Sequence, residues 1–508
     1  CTPKTCDLDP IPTRLLKECS DLIAPVITSM INLSMSTGTI PSSWKDAIIL
    51  PSLKSGKKDL VKENYRPISN LSFASKICEK SVAMQFTDHL VNNNLMEPFQ
   101  SAYRPNHSTE TALVRVCNDI LRAIDQRKIT ILVLLDLSAA FDTVDHLILL
   151  DRLHMRFGVC GVALDWFKCY LTGRRQFVSV NGMRSDPKLL KCGVPQGSVL
   201  GPLLFLAYVS PLGDIIRKHG LYFHSFADDT QLYLAFDANS TDNLSDALRS
   251  IQLAIQDIKN CLSRNLLKFN IGKTELLLIG SCHQLSKLCS PITIRVDDVT
   301  ITASEIVRNL GVFMDEQLKL DGHVNKIMKT CFYHLRNIFK IRKYLSIDAT
   351  KSLVHALVTS RLDYCNSLLY GCKTSSIKCL QRIQNYSARA ICKIAKYDHI
   401  SPILKQLHWL PVKARIEHKL LTLTFKAVHG QAPSYLSELI SRRPILRPGL
   451  RSNHSFLLTV PKITSRADKS TADRAFSLSA PKLWNSLPEE LRNCSSVETF
   501  KGKLKTFL

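Results

Sequence analysis

The 508-residue sequence has no long apolar run, no closely spaced cysteine pair and a shortage of acidic residues. Its longest obvious apolar run, residues 129–135, has the size of one strand, far below the roughly 18 residues that a membrane span needs. The sequence therefore argues against a membrane-spanning protein. It begins without Met and without a basic stretch followed by an apolar one, so we expect it to be the downstream part of a longer protein.

The 17 cysteines are scattered along the chain. Cys365, Cys372 and Cys379 recur every seven residues. Zinc sites usually use pairs two to four residues apart, so this spacing favours buried thiols on helices over a zinc site. In a chain that is not secreted, cysteines without short paired spacings are expected to be reduced thiols.

The charge balance favours a polyanionic partner. The sequence carries 67 Lys and Arg against 43 Asp and Glu, a formal net charge of +24. Residues 326–430 contain nineteen of these basic residues and only four acidic ones. Such a surface suits nucleic acid or an acidic membrane surface, although charge alone also serves solubility.

The hydrophobic pattern changes along the chain. Helical periodicity covers residues 12–36 and 324–429, whereas strand-like runs alternate with helical patterns between residues 65 and 280, which indicates α/β or α+β architecture. Residues 440–473 form an irregular linker with a short strand predicted at 456–460, and an amphipathic helix closes the chain at 496–508.

Two acidic clusters follow strand-like segments. Asp136 comes at the end of an apolar run typical of a strand buried on both faces. Asp228 and Asp229 lie in the predicted turn of a hairpin with arms at 221–226 and 231–236. The three carboxylates together suit Mg²⁺, which prefers hard oxygen ligands, and two such ions can clamp an in-line phosphoryl transfer. Either cluster alone also fits a solvated turn or a helix cap.

A glycine-rich loop lies between the two acidic clusters. Its sequence is CGVPQGSVLGP, at residues 192–202, and its glycines permit a close approach of the backbone to a ligand. Gln196 offers both a donor and an acceptor. Taken alone, the loop fits any tight connection.

Read in order, these segments resemble the reverse transcriptase of LINE-type (non-LTR) retrotransposons. The tail segments LHWLPVK (407–413) and APKLWNSL (480–487) also look like the C-terminal region of such proteins. The blocks that carry the resemblance are NYRPISN (64–70), QSAYR (100–104), DLSAAFD (136–142), GVPQG (193–197), FADD (226–229), NIGKT (270–274) and NLGV (309–312).

The resemblance implies an α+β fold, that of a right-hand polymerase. It would comprise fingers, a palm with an antiparallel sheet and a helical thumb, followed by a basic α-helical C-terminal region. The predicted divisions are an N-terminal helical extension at 1–40, fingers and palm at 41–312, a thumb at 313–345 and the C-terminal region at 346–508. In the thumb, Lys340, Arg342 and Lys343 are predicted to contact duplex phosphates.

The resemblance also implies roles for individual residues. Asp136, Asp228 and Asp229 match the metal-binding catalytic triad, and Lys273 matches a lysine that protonates the departing pyrophosphate. Residues matching substrate-binding positions are the steric gate Phe141, the nucleotide- and template-lining Gln196 and Gly197, the fingers residue Arg104, and Arg66, whose role in the family varies. The block at 309–312 matches a hairpin that grips the primer end.

The activity implied is RNA-directed DNA synthesis with two Mg²⁺ ions, for which Mn²⁺ can substitute. The implied partners are an RNA template, a DNA primer or target, dNTPs and other element-encoded proteins, in the nucleus or a cytoplasmic ribonucleoprotein. An inactive, nucleic-acid-binding descendant and a group II intron maturase remain alternatives. A maturase usually has Tyr in place of Phe226. The sequence also departs from the family at Cys261, where Trp is usual, and shows no endonuclease, ribonuclease H or Cys/His knuckle block.

Overall fold

The computed structural model describes residues 6–54, 61, 64–138, 141–239, 241–288, 291–395, 397–444, 456–464 and 469–508. The chain divides into two compact units made of alternating segments. The first unit comprises Cys1–Glu97, Asp136–His219 and Ala254–Asn270, and the second comprises Pro98–Leu135, Gly220–Leu253 and Ile271–Leu508. Within the described ranges, no helix is both long and apolar enough to cross a membrane. The domain boundaries expected from the resemblance stay predictions.

Helices occur throughout the described residues. They are α1 (Thr13–Glu18), α2 (Ser20–Thr37), α3 (Phe73–Asn92), α4 (Thr109–Asp125), α5 (His146–Met155), α6 (Gly161–Leu171), α7 (Gly201–Val209), α8 (Pro211–Lys218), α9 (Thr241–Arg264), α10 (Cys282–Leu285), α11 (Asp321–Ile341), α12 (Ile347–Val354), α13 (Ser360–Leu362), α14 (Thr374–Cys392), α15 (Ser401–Gln406), α16 (Val412–Val428), α17 (Ser434–Ser437), α18 (Lys469–Ala472), α19 (Phe476–Asn485), α20 (Glu489–Arg492) and α21 (Val497–Phe507).

The strands lie between them. They are β1 (Asp46–Leu53), β2 (Tyr65–Leu71), β3 (Lys128–Leu135), β4 (Leu137–Ser138), β5 (Arg175–Val180), β6 (Met183–Arg184), β7 (Lys188–Leu189), β8 (Tyr222–Phe226), β9 (Asp229–Asp237), β10 (Lys268–Phe269), β11 (Glu275–Ile279), β12 (Thr293–Val296), β13 (Val299–Thr302), β14 (Ile306–Asn309) and β15 (Val312–Asp315). The alternation of strands and helices predicted for residues 65–280 is confirmed.

The first unit is built on a mixed sheet in the order β2-β1-β5-β6, with β7 also paired to β5. Strand β1 pairs antiparallel with β2 and parallel with β5. Helix α2 packs against α3 and α6, and the buried Trp166 donates its indole N–H to Ser34 Oγ at 3.1 Å. A two-stranded ladder of β4 with β10 also belongs to this unit.

The second unit contains a four-stranded sheet in the order β11-β3-β9-β8, antiparallel throughout. Strand β3 is buried along nearly its whole length, as the apolar run predicted. Helix α4 packs against β3 and β8, and a capping box between Ser108 and Thr111 begins it. This arrangement confirms the predicted antiparallel palm sheet.

Most of the described C-terminal third is helical, as predicted. The closing helix α21 begins after Ser496, whose hydroxyl accepts from the Thr499 N–H. The strand predicted at 456–460 is reduced to an isolated antiparallel bridge between Leu458 and Arg442. Two backbone hydrogen bonds flank it, from the Arg443 N–H to the Leu457 carbonyl and from the Thr459 N–H to the Ser441 carbonyl, both at 2.9 Å. The helical pattern at 12–36 is also divided, since the chain leaves helical geometry at Cys19 between α1 and α2.

The heptad-spaced cysteines are reduced and do not all lie on a helix. Cys365 is buried in a turn, Cys372 lies in a loop, and Cys379 lies on α14. Burial raises the pKa of the Cys365 thiol to about 12, so this group behaves as a neutral, unreactive thiol. The buried-thiol interpretation thus fits Cys365 best, whereas its placement on a helix was wrong.

Candidate active site

The two adjacent aspartates lie at a two-residue hairpin turn. Phe226 pairs with Asp229, so the turn consists of Ala227 and Asp228. Asp229 is therefore the first residue of β9 and not a turn residue as the sequence had suggested. Ala227 has a φ of 58°, which a non-glycine residue adopts at a cost of the order of 1 kcal/mol or more. This turn lets both neighbouring carboxylates avoid the opposite-facing geometry of an extended strand.

A buried glutamine side chain holds this turn. Gln100 Oε1 accepts from the Ala227 N–H at 2.9 Å, and Gln100 Nε2 donates to the Ala227 carbonyl at 3.2 Å. The guanidinium of Arg104 donates to the Gln100 carbonyl at 3.0 Å. Within the second unit, Gln100 therefore links Arg104 to the turn that carries Asp228. Sequence reasoning selected Arg104 from the QSAYR block and missed Gln100.

Asp228 is half-buried and Asp229 is exposed. The pKa of the nearby Tyr103 phenol is raised, first by burial and then by the negative charge of Asp228.

Asp136 comes immediately after β3, and the last pair of the β3–β9 ladder is Leu135 with Thr230. Within the first unit, Asn270 donates its backbone N–H to the Asp136 carbonyl at 3.1 Å and its side-chain amide to Asp136 Oδ2 at 3.2 Å. Asn270 belongs to the NIGKT block, from which sequence reasoning took only Lys273.

The fit of these residues to a metal ion can be judged from their donor chemistry. Three carboxylates are the hard oxygen ligands that Mg²⁺ prefers. Asp136 belongs to the first unit, whereas Asp228 and Asp229 belong to the second. Across the described ranges, no group of three or more His, Cys, Asp or Glu side chains is arranged to hold a metal ion. The donor chemistry therefore fits, and joint coordination by the three aspartates stays a prediction.

The predicted steric gate Phe141 is half-buried in the first unit. Its ring stacks on that of Phe205, with ring centroids 4.6 Å apart. Its carbonyl accepts from the Val194 N–H at 2.9 Å, which ties it to the glycine-rich loop. The stack fixes the ring on one side while leaving part of the side chain accessible.

The glycine-rich loop lies against β2 of the same unit. The Ser69 N–H donates to the Gln196 carbonyl at 2.7 Å. Gly197 has a φ of +127°, and a Cβ at this position would approach the Ser69 carbonyl to 2.4 Å. A side chain at position 197 therefore conflicts with both the backbone conformation and the neighbouring strand. Arg66 lies exposed on β2.

A buried carboxylate fixes the far end of this loop. Glu79 Oε2 accepts from the Val199 N–H at 2.7 Å and the Leu200 N–H at 3.1 Å. Burial raises the pKa of Glu79, while the two N–H groups and the buried Arg174 oppose that shift. Glu79 thus orders the start of α7 behind Gln196. Its isolated position in the sequence gave no signal of this contact.

Lys273 ends a short 3-10 turn, Ile271–Lys273, between β10 and β11, and its side chain is exposed. An exposed lysine at a turn is accessible to a ligand. Its assignment as a general acid stays a prediction.

The NLGV block forms a tight hairpin between β14 and β15. Leu310 and Gly311, with φ of 42° and 87°, make a two-residue turn of the type that favours hairpins. The buried Asn309 donates to Gln231 Oε1 at 2.8 Å, two residues after Asp229 on β9. The second unit therefore fixes this hairpin to the strand that carries Asp229.

The predicted phosphate contact by Arg342 is wrong. Arg342 is only 6% exposed. Its guanidinium donates to the carbonyls of Ala390, Ile391 and Leu345 at 2.5–2.8 Å, so it closes the C-terminal turn of α14. Lys340 and Lys343, by contrast, are exposed as expected.

An exposed basic face also runs along α11. Lys326, Lys329, Arg336 and Lys340 are exposed on this helix. Tyr333, 59% exposed, adds an aromatic ring to the face. This combination suits contact with a nucleic-acid backbone and bases.

An antiparallel sheet with Asp228 in a hairpin turn, Asp229 at the start of the next strand and Asp136 directly after the neighbouring strand is the arrangement of a right-hand polymerase palm. Residues 54–314, just over half of the chain, match the family described as reverse transcriptase (RNA-dependent DNA polymerase). The chain belongs to this reverse transcriptase family.

Curated relatives agree with that assignment. The chain is 28% identical over 386 residues to the probable RNA-directed DNA polymerase from transposon BS of Drosophila melanogaster, covering 74% of this chain and 41% of the relative. The corresponding protein of the X-element of the same species is 29% identical over 376 residues, covering 72% and 39%. The chain thus spans about two-fifths of the length of these relatives.

Among solved structures, apo telomerase from Candida tropicalis aligns with 84% of this chain and 74% of its own, at a TM-score of 0.41 and 12% identity. A likeness at that level adds nothing to the assignment, which comes from the family match.

Proposed function

We propose that this chain synthesises DNA on an RNA template for a non-LTR retrotransposon, adding dNTPs to a primer 3′-hydroxyl. The observation that carries the proposal is the family match over residues 54–314, which includes both acidic clusters. Support also comes from the pairing of β3 with β9. Asp136 directly follows β3, and Asp229 is the first residue of β9. The RNA template, the DNA primer or target and other element-encoded proteins are the partners proposed.

Asp136, Asp228 and Asp229 would hold the divalent ions, with Mg²⁺ first and Mn²⁺ as a substitute. Bound there, such ions lower the pKa of an attacking hydroxyl and stabilise charge in the transition state. The chain's own groups would orient the substrates: Arg104 at the triphosphate, and the loop of Gln196 and Gly197 at the nucleotide and template. Most of the rate enhancement would come from this positioning.

Lys273 would deliver a proton to the departing pyrophosphate. Arg66 would meet the incoming nucleotide from β2. The exposure of both side chains is compatible with contact to a substrate. We place the protein in the nucleus or in a cytoplasmic ribonucleoprotein, consistent with the free thiols of the cysteines that the structure describes.

Primer extension with the purified chain tests the proposal. A labelled DNA primer annealed to an RNA template is incubated with dNTPs and Mg²⁺, and the product length is measured on a gel. We expect templated extension that stops when the matching dNTP is omitted. Binding of the duplex without any extension would instead support the inactive, nucleic-acid-binding alternative.

Phe141→Val should admit ribonucleotides. Removing the ring opens space for a 2′-hydroxyl, and we expect the ratio of rNTP to dNTP incorporation to rise by about 10- to 100-fold, the range for loss of one steric exclusion. The ratio of kcat/KM values for the two nucleotides measures the effect. Phe205→Leu, which removes only the stacking partner, serves as the control and should change the ratio far less. An unchanged ratio in active Phe141→Val would make Phe141 an ordinary core residue.

Replacing Lys329, Arg336 and Lys340 together by Gln should weaken binding of a primer–template duplex, whatever the nucleotide sequence of the duplex. Removing one phosphate-binding side chain should reduce the slope of log K against log salt by about 0.7 to 0.9, so removing three should change it by about 2 to 3. Fluorescence anisotropy across a salt series measures it. The control removes Lys17, Lys80 and Lys168, which are exposed on three separate helices. Equal slopes for both triple variants would show that α11 is only a solvated face.

A further inference from the structure

Residues 99–101 run beside β8 toward the Asp228 turn. The Ser225 N–H donates to the Phe99 carbonyl at 2.8 Å, and the Ser101 N–H donates to the Ser225 carbonyl at 3.0 Å. Gln100 thereby forms a parallel bridge with Ser225 and is only 6% exposed. The segment behaves as a short additional strand that ends beside the turn.

The side-chain amide of Gln100 makes three hydrogen bonds to backbone groups. Besides its two bonds to Ala227, its Oε1 accepts from the Ala102 N–H at 3.0 Å. Ala227 has the unfavourable φ of 58°, so its conformation persists only where neighbours hold it. Gln100 is such a neighbour, because its side-chain amide forms hydrogen bonds with both the N–H and the carbonyl of Ala227.

Tyr435, a buried residue of the C-terminal third, contacts this segment through its hydroxyl. The Tyr435 hydroxyl lies 2.8 Å from Ser101 Oγ and donates to Thr111 Oγ1 at 2.9 Å. Ser101 Oγ in turn lies 2.7 Å from Nε2 of His224 on β8. Burial lowers the pKa of His224 to about 3, so the imidazole is neutral at ordinary pH. Tyr435 itself has no exposed surface.

We propose that Gln100 is a positioning residue for the turn that carries Asp228, and that Tyr435 holds the segment that carries Gln100. The inference rests on the proposed function, because the turn that Gln100 holds carries Asp228, one of the proposed metal-binding aspartates. It also gives part of the C-terminal third a place in the polymerase unit: a residue some 200 positions after the turn helps to set that turn.

The test compares Gln100→Met with Gln384→Met. Methionine keeps nearly the same volume and removes every hydrogen bond of the amide. Gln384 is a matched control, because it is 2% exposed and its amide donates to the Leu410 carbonyl and accepts from Gln381. Both variants should lose thermal stability. Only Gln100→Met should reduce kcat for single-nucleotide addition, by about 30- to 100-fold, while its Kd for the primer–template duplex stays within about twofold of wild type.

Tyr435→Phe provides a milder second variant that keeps the ring against His224 and removes only the hydroxyl. The substitution removes the contacts of the hydroxyl with Ser101 and Thr111, of which only the first supports the Gln100 segment. We expect a fall in kcat of about 3- to 10-fold, the cost of losing that one hydrogen bond at a distance from the turn. The control is Tyr208→Phe, which removes a buried hydroxyl bonded to the Asn265 carbonyl at 2.6 Å in the first unit. That control should leave kcat near wild type.

Hydrogen–deuterium exchange supplies a readout independent of activity. Amides of the peptide covering residues 222–232 should exchange at least about tenfold faster in Gln100→Met than in wild type or Gln384→Met. Unchanged exchange there, or wild-type kcat in folded Gln100→Met and Tyr435→Phe, would overturn the inference. If wild type itself fails to extend primers, the proposed function fails while the exchange comparison still decides whether Gln100 holds the turn.

Discussion

Asp228→Asn is expected to abolish nearly all DNA synthesis. The substitution keeps the size of the side chain and removes the negative charge that a divalent ion requires. Loss of such a ligand should remove several kcal/mol of transition-state stabilisation, and about 4 kcal/mol corresponds to a rate reduction of about 1000-fold. The measurement is single-nucleotide incorporation on an RNA template at saturating primer and dNTP.

Folding and nucleic-acid binding of this variant should remain near wild type, because Asp228 lies on a turn that the backbone and Gln100 hold. Asp145→Asn is the control. Asp145 accepts from the Leu147 and Ile148 N–H groups at the start of α5, a task that Asn performs about equally well. Near wild-type incorporation by Asp228→Asn would refute the catalytic assignment. Equal losses in both variants would point to general damage.

Gly197→Ala should destabilise the protein and disable the loop that carries Gln196. The new Cβ would lie 2.4 Å from the Ser69 carbonyl, at a φ of +127° that L residues rarely adopt. Backbone strain and overlap together should lower the free energy of unfolding by about 3 kcal/mol or more. Chemical denaturation of the purified variant measures this change, and primer extension measures the accompanying loss of activity.

Gly173→Ala separates these two causes. Gly173 also has a positive φ, +70°, but a Cβ there meets nothing within 4 Å. It should therefore cost only the backbone strain, about 1 kcal/mol. If Gly197→Ala lowers the free energy of unfolding no more than Gly173→Ala does, β2 and the loop move apart easily. The close approach to Ser69 then contributes little.

Several local features could be predicted because neighbouring residues determine them. The apolar run before Asp136 specifies a buried strand, and β3 is one. The two strand-like arms around FADD specify a hairpin, and β8 and β9 form it. Ser496 followed by an amphipathic pattern specifies α21. In each case the deciding interactions are hydrogen bonds or side-chain periodicity within a few residues.

Prediction failed where a distant partner decides the role of a residue. Arg342 looks like one more cation of a basic helix, yet it binds carbonyls 48 and 49 residues away. Gln100 looks like an ordinary polar residue, yet it holds a turn 127 residues away. The roles of Glu79 and Asn270 were missed for the same reason. Asp229 was misplaced for a local reason: aspartates suit turns, whereas its pairing with Phe226, three residues earlier, makes it a strand residue.

The sequence by itself determined the family, the order of the blocks and the positions of the three candidate aspartates, because spacing and residue type are properties of the chain. Only the tertiary structure decided which buried polar groups hold the blocks in place. Burying an amide or a guanidinium is costly unless its partners are already aligned. Those partners come from segments far apart in sequence, so their identity appears only after the chain has folded.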